Sequence, residues 1–218
     1  MPSRRLVSWL PGRGNAANRT EPPFDPTSWS GALLVMVGVD AALWIVQLVN
    51  AGHDYSLNRF GLQPRTVDGL WGVLTAPFLH LNYGHLVSES VPVVAVGWVL
   101  LLSGLRAWLV VTGSVLVLGG LATWLVAPSA LIVGSSSLVF GWLGYLLARA
   151  YFSRKLRWIV VALLVLFFFG ALLSSLLPSF DKHASWQSHV CGFMAGIVVA
   201  AMLHPRPASR RASPPVVS

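Results

Sequence analysis

The chain has 218 residues, of which 55% are hydrophobic and only 10% charged, with 15 Lys and Arg against 7 Asp and Glu and a mean hydropathy of +0.69. A soluble domain carries about 25% charged residues, so a water-wrapped globule is excluded, and the apolar content excludes a disordered chain. The single cysteine, Cys191, excludes a disulfide-stapled module. What remains is an all-α membrane protein that crosses the bilayer several times.

The first 30 residues are rich in Pro, Gly, Ser and Arg and read as a flexible tail. Arg4-Arg5 precede an apolar run that Pro11-Gly12 break at once, too short for a signal h-region, so no cleaved signal is expected. A hydrocarbon core about 30 Å thick needs roughly 20 apolar helical residues per crossing. Six segments qualify: 31–50, 84–105, 107–127, 131–148, 158–177 and 186–203. They define a membrane domain over 31–203, followed by a basic tail over 204–218. The connection 51–78 is long for a loop, and long ordered loops are often half-inserted or functional. Trp29, Trp108, Trp158 and Trp186 lie at or beside span starts and Trp124 near a span end, positions suited to interfacial anchors.

With six spans both termini share a side. Twelve of the fifteen Lys and Arg fall on that side: Arg4, Arg5, Arg13 and Arg19 in the first tail, Arg106, then Arg149, Arg154, Lys155 and Arg157, then Arg206, Arg210 and Arg211. Arg59, Arg65 and Lys182 fall on the other. The positive-inside rule then predicts both termini cytoplasmic in a multi-pass protein of the cell membrane. The basic surplus reads as topology, with attraction to the anionic lipid bilayer as a secondary effect. No basic stripe interleaved with aromatics sits in a soluble region, so no nucleic-acid partner is expected.

The third, fourth and fifth segments contain no Asp, Glu, Lys or Arg, whereas the first holds Asp40 and the second His85 and Glu89. Ionisable groups inside a bilayer are costly and mark function by default. Ser136 near the start of the fourth segment, His189 near the start of the sixth, and His85 and Glu89 near the start of the second share one depth below the outer surface. His85 and Glu89, four apart, face the same way. Ser137 and Gly141 on the fourth segment, and Gly192, Gly196 and Ala200 on the sixth, form small-residue faces that allow close helix approach. If those faces pack together, Ser136 meets His189, and a serine beside a histidine is a nucleophile with its general base. No carboxylate has spacing that points at His189, so a dyad is the simpler expectation. Gly134 permits a tight turn that aims helix N-terminal N–H groups at an oxyanion. A nucleophile elbow is excluded, because it requires glycine where Leu138 stands. His80, His85 and His189 lack ligand-pair spacing, so no metal site is expected. Other readings are a Ser-rich helix cap without chemistry, and a small transporter using Asp40, Glu89 and the histidines as a polar pathway.

The stretches Gly61-Leu62-Gln63-Pro64-Arg65, Thr75 to His85, Gly134 to Arg149 and His189 to Gly196 resemble the rhomboid family of intramembrane serine proteases. The resemblance implies a six-helix bundle, Ser136 as nucleophile, His189 as base, no cofactor, and a water-filled cavity open to the extracytoplasmic side. Its implied substrates are single-span membrane proteins, cut within or beside their transmembrane segment. It assigns oxyanion stabilisation to His85, the backbone N–H of Ser136, and an asparagine position held here by Glu89. An ionised carboxylate would repel an oxyanion, so Glu89 is expected to be neutral or turned away. The family's G-A-S-G core reads Gly134-Ser135-Ser136-Ser137, and alignment on Gly134 selects Ser136 among the three serines. Phe140 falls where the family often stacks an aromatic on the histidine. Those departures keep open a catalytically inactive relative that binds transmembrane helices without cutting them. The resemblance also lays the 51–78 loop sideways in the outer leaflet, a setting that suits Trp71 and Phe78.

Overall fold

The computed structural model describes residues 25–178 and 185–204. The tail expected over 1–30, apart from its last six residues, the tail over 204–218 beyond His204, and the cations Arg4, Arg5, Arg13, Arg19, Lys182, Arg206, Arg210 and Arg211 lie outside the described residues. The helices are α1 (Trp29–Gly52), the one-turn α2 (Gly72–Thr75), α3 (Tyr83–Leu101), α4 (Leu105–Val126), α5 (Ser136–Ser153), α6 (Leu156–Phe169) and α7 (Trp186–Leu203). Among the described residues there is no strand beyond an isolated antiparallel bridge between Leu62 and Ile132.

Local chemistry sets the helix ends. The Ser28 hydroxyl accepts from Gly31 N–H at 3.1 Å to open α1, and Asn82 Oδ1 accepts from His85 N–H at 2.9 Å to open α3, each satisfying a donor that has no partner within its helix. Gly104, at φ +111°, separates α3 from α4. The expected fourth segment starts later than its hydropathy suggests, at Ser136 instead of 131. Ile132 pairs with Leu62 and Gly134 adopts φ +120°, so the chain is extended there and then turns into α5. The expected fifth segment is α-helical to Phe169 and then tightens into a 3-10 helix over Gly170–Leu176.

Five helical segments are long and apolar enough to cross a membrane: Trp29–Gly52, Tyr83–Leu101, Leu105–Val126, Leu156–Leu176 and Trp186–Leu203. Helix α5 has the same 18 residues as α7 but carries serines, glycines and Arg149 among its apolar residues. Its setting explains that composition. It packs against α3, α4, α6 and α7, so it faces protein far more than lipid, and half of its residues, from Val139 through Leu146 together with Ala150, are buried. The core is built on this helix, with Met36 of α1, Leu86 and Val96 of α3, Val115 of α4 and Val199 of α7 packed around it. Leu34, Leu163, Phe167 and Met202 point outward from the bundle.

The 51–78 connection is folded as short turns over Ser56–Phe60, Asp68–Trp71, α2 and Ala76–Phe78. It is tied to the end of α4: Arg65 Nη1 donates to Ala127 O at 2.6 Å and Trp124 Nε1 to Thr66 O at 2.8 Å. Trp71 is 70% exposed and Phe78 also faces out.

The tightest helix pair is α5 with α7. A Cβ at Gly192 would strike the Ser137 carbonyl, one at Gly196 the Gly141 carbonyl, and one at Gly144 the Phe193 carbonyl. Backbone lies directly on backbone, so Gly196→Val is expected to lower stability by about 1–3 kcal/mol or more, read as a lower midpoint of thermal unfolding in detergent, whereas Gly38→Val, which meets open space, leaves it nearly unchanged.

Candidate active site

The α5/α7 contact brings the first turns of the two helices side by side. Ser136 Oγ lies 3.0 Å from His189 Nε2, and His189 Nδ1 lies 3.1 Å from the Ser175 carbonyl oxygen. A carbonyl can only accept, so Nδ1 carries the proton. Nε2 then presents a lone pair to the serine hydroxyl. The Phe140 ring stacks on the imidazole at a centroid distance of 4.4 Å and 23° between planes, which fixes its tilt. His189 is 6% exposed. This orienting role, given to a carboxylate in three-residue triads, falls here to a main-chain oxygen of the 3-10 segment. Sequence reasoning missed it because a backbone acceptor leaves no mark in side-chain identity; Gly170 and the Ser174-Ser175 pair, which loosen the end of an otherwise apolar helix, are the only hint.

Gly134 prepares the turn into α5. Its φ of +120° is open to glycine and strained for other residues. An added Cβ would also come within 2.9 Å of Glu89 Oε1 and His85 Cε1. Its N–H donates to Ala76 O at 3.0 Å, so the 51–78 connection holds the turn from below. Ser135 is the N-cap of α5, yet its side chain does not accept from the helix. Its hydroxyl donates to Glu89 Oε2 at 2.5 Å and its N–H to the same oxygen at 2.6 Å. The first N–H groups of α5 are therefore left without a side-chain cap beside Ser136.

Glu89 is 7% exposed and accepts from three separate stretches. Besides Ser135, His80 Nε2 lies 3.1 Å from Oε2 and His85 Nε2 lies 2.8 Å from Oε1. Every one of these partners is a donor, so the carboxylate acts as an acceptor turned into the protein. His80 is fully buried, and its bond to Glu89 has no signature in the spacing of the sequence. Asn58 Nδ2 donates to the His80 carbonyl at 3.3 Å, and Asn50 Nδ2 to Asn58 Oδ1 at 2.9 Å. A polar chain thus runs from the end of α1 to the start of α5.

A cavity of about 800 Å³ joins these groups, with His85, Glu89, Ser136, Phe140, Ser175 and His189 on its wall. All four residues singled out from the sequence line it. Asp40, midway along α1, does not, and its Oδ1 is buried without a hydrogen-bond partner. Ser137 is not on this wall; together with Ser136 it lines a small adjoining pocket of about 30 Å³. No cluster of His, Cys, Asp and Glu among the described residues is arranged to hold a metal ion.

The rhomboid domain profile matches residues 67–206, a stretch that includes every group in this cavity wall. The chain belongs to the rhomboid family. Members of that family are generally intramembrane serine proteases acting on transmembrane substrates. Uncharacterized proteins of Mycobacterium bovis and Mycobacterium tuberculosis are each 34% identical over 209 residues, covering 88% of this chain and 87% of theirs. An uncharacterized protein of Mycobacterium leprae is 35% identical over 171 residues, 75% of this chain and 68% of its own. Within this rhomboid, Glu89 holds together the two stretches that flank the serine and the cavity. Glu89→Ala removes the acceptor of four donors, three of them buried, and is expected to cost about 3–5 kcal/mol, with Glu89→Gln losing less; thermal unfolding of the purified variants measures both.

Proposed function

We propose that this rhomboid is an active intramembrane serine endopeptidase, a six-span protein of the cell membrane with both termini cytoplasmic and its cavity open to the extracytoplasmic side. The observation that carries the reading is the 3.0 Å contact between Ser136 Oγ and His189 Nε2 in the tautomer that accepts the hydroxyl proton. Helix α5, enclosed by its neighbours, serves as the sixth span, and the bias of Lys and Arg toward one set of loops supports the orientation.

In this mechanism Ser136 Oγ attacks a peptide carbonyl of an unwound transmembrane segment while His189 Nε2 takes its proton. The resulting imidazolium is held by its Nδ1–H bond to the Ser175 carbonyl and by the Phe140 ring. The tetrahedral oxyanion faces the uncapped N–H groups at the start of α5. His85 donates Nε2–H to Glu89 at rest; an oxyanion arriving beside Gly134 competes for that N–H. Glu89 contributes through His85 and Ser135, orienting both, and does not touch the reacting atoms. His189 then returns the proton to the leaving amine, and water hydrolyses the acyl-enzyme by the same route in reverse. No cofactor is required.

The test is labelling of the folded, full-length protein by a fluorophosphonate, alongside cleavage of a single-span substrate in liposomes. Ser136→Ala and His189→Ala are expected to abolish both, while Ser135→Ala keeps labelling. A folded wild-type protein that neither labels nor cleaves would instead be a relative that binds transmembrane helices without cutting them.

A further inference from the structure

At the end of α5 remote from Ser136, the chain gathers positive charge, and no described residue pairs with it as an anion. Arg149 is thirteen residues along the helix, about 20 Å at 1.5 Å per residue. Arg154, Lys155 and Arg157 follow, all exposed. Between Glu89 and Asp181 the sequence contains no Asp or Glu, and among the described residues the only ion pairs are those of Glu89 with His80 and His85.

Arg149 is held in place. Its Cζ lies 3.5 Å from the centre of the Trp158 ring and 5.8 Å from that of Tyr145. The guanidinium Nε and Nη1 are buried and have no hydrogen-bond partner. Arginine keeps its charge, so a fixed cation sits just behind the surface at this end of the bundle. The Tyr145 hydroxyl lies 3.1 Å from His204 Nε2. Burial, together with repulsion from Arg149 and Lys155, keeps His204 below the usual histidine range. Helix α6 starts at this point behind Lys155, whose side chain does not cap it, adding the positive end of its dipole.

What borders the cluster indicates the partner. Leu156 is 75% exposed, and Val160, Leu163 and Phe167 continue the same face of α6 outward. The exposed cations Arg154, Lys155 and Arg157 at the mouth of this outward-facing apolar stripe, backed by the charge of Arg149, match a phosphate attached to acyl chains. We infer that this end of the bundle binds an anionic phospholipid, its phosphate on Lys155 and Arg157, the charge of Arg149 behind them, and its chains along α6. The site is independent of any proteolysis at Ser136.

Native mass spectrometry of the full-length protein in detergent tests this with three probes: phosphatidylglycerol, phosphatidylcholine and inorganic phosphate. Phosphatidylglycerol is expected to bind saturably and to be retained over phosphatidylcholine. The surface variant Lys155→Gln/Arg157→Gln is expected to weaken that binding about fivefold per cation removed, and Arg149→Gln to weaken it further. Should Arg149→Gln fail to fold, the surface double variant decides. Equal retention of phosphatidylcholine, unchanged phosphatidylglycerol affinity in the double variant, or displacement of the lipid by equimolar inorganic phosphate would each overturn the inference.

Discussion

Inside a bilayer a polar group has no water to fall back on, so each one must find its partner within the protein. The Glu89 carboxylate is where that requirement is most concentrated. It accepts from His80 ahead of α3, from His85 within α3, and from both the N–H and the hydroxyl of Ser135 ahead of α5. Through the His80 carbonyl, Asn58 and Asn50, the same network reaches the end of α1. The turn at Gly134, the exposed first N–H groups of α5, and the pose of Ser136 all depend on Ser135 being drawn toward Glu89 instead of capping its own helix.

Two kinds of contact hold the Ser136 and His189 side chains. The α5/α7 glycines bring the helix axes close enough for the side chains to meet. The Ser175 carbonyl and Phe140 then choose the protonation pattern and tilt of the ring. Neither suffices alone: close helices with the other tautomer would put an N–H, not a lone pair, against the hydroxyl.

Much of this was legible in the sequence, and the reasons are particular. Composition and segment length marked the membrane domain, because lipid-facing helices such as α6 are apolar nearly throughout. The small residues at Gly192 and Gly196 foretold the α5/α7 contact, whereas Gly141 turns its bare Cα toward Val115 of α4 and Gly144 is the α5 glycine set against α7. Span limits were less readable near α5, where Ile132 and Val133 are apolar through pairing with the loop and packing beside the turn, not through helix formation. The inward turn of Glu89 was one of two expectations, and its set of donors could not be foreseen, since a backbone N–H and a histidine nine positions upstream leave no periodic pattern. For the same reason the Ser175 carbonyl escaped notice.

The backbone contact between α5 and α7 has a mechanical consequence. Side chains at a helix interface can change rotamer and let helices slide, but carbonyls seated on glycine Cα atoms leave no slack. Such a pair resists sliding of one helix along the other. Strain from a bilayer thinner or thicker than the bundle then falls first on the spanning helix with the fewest buried residues, α6, through tilt. The spacing of Ser136 and His189 is in this way insulated from the thickness and composition of the surrounding lipid.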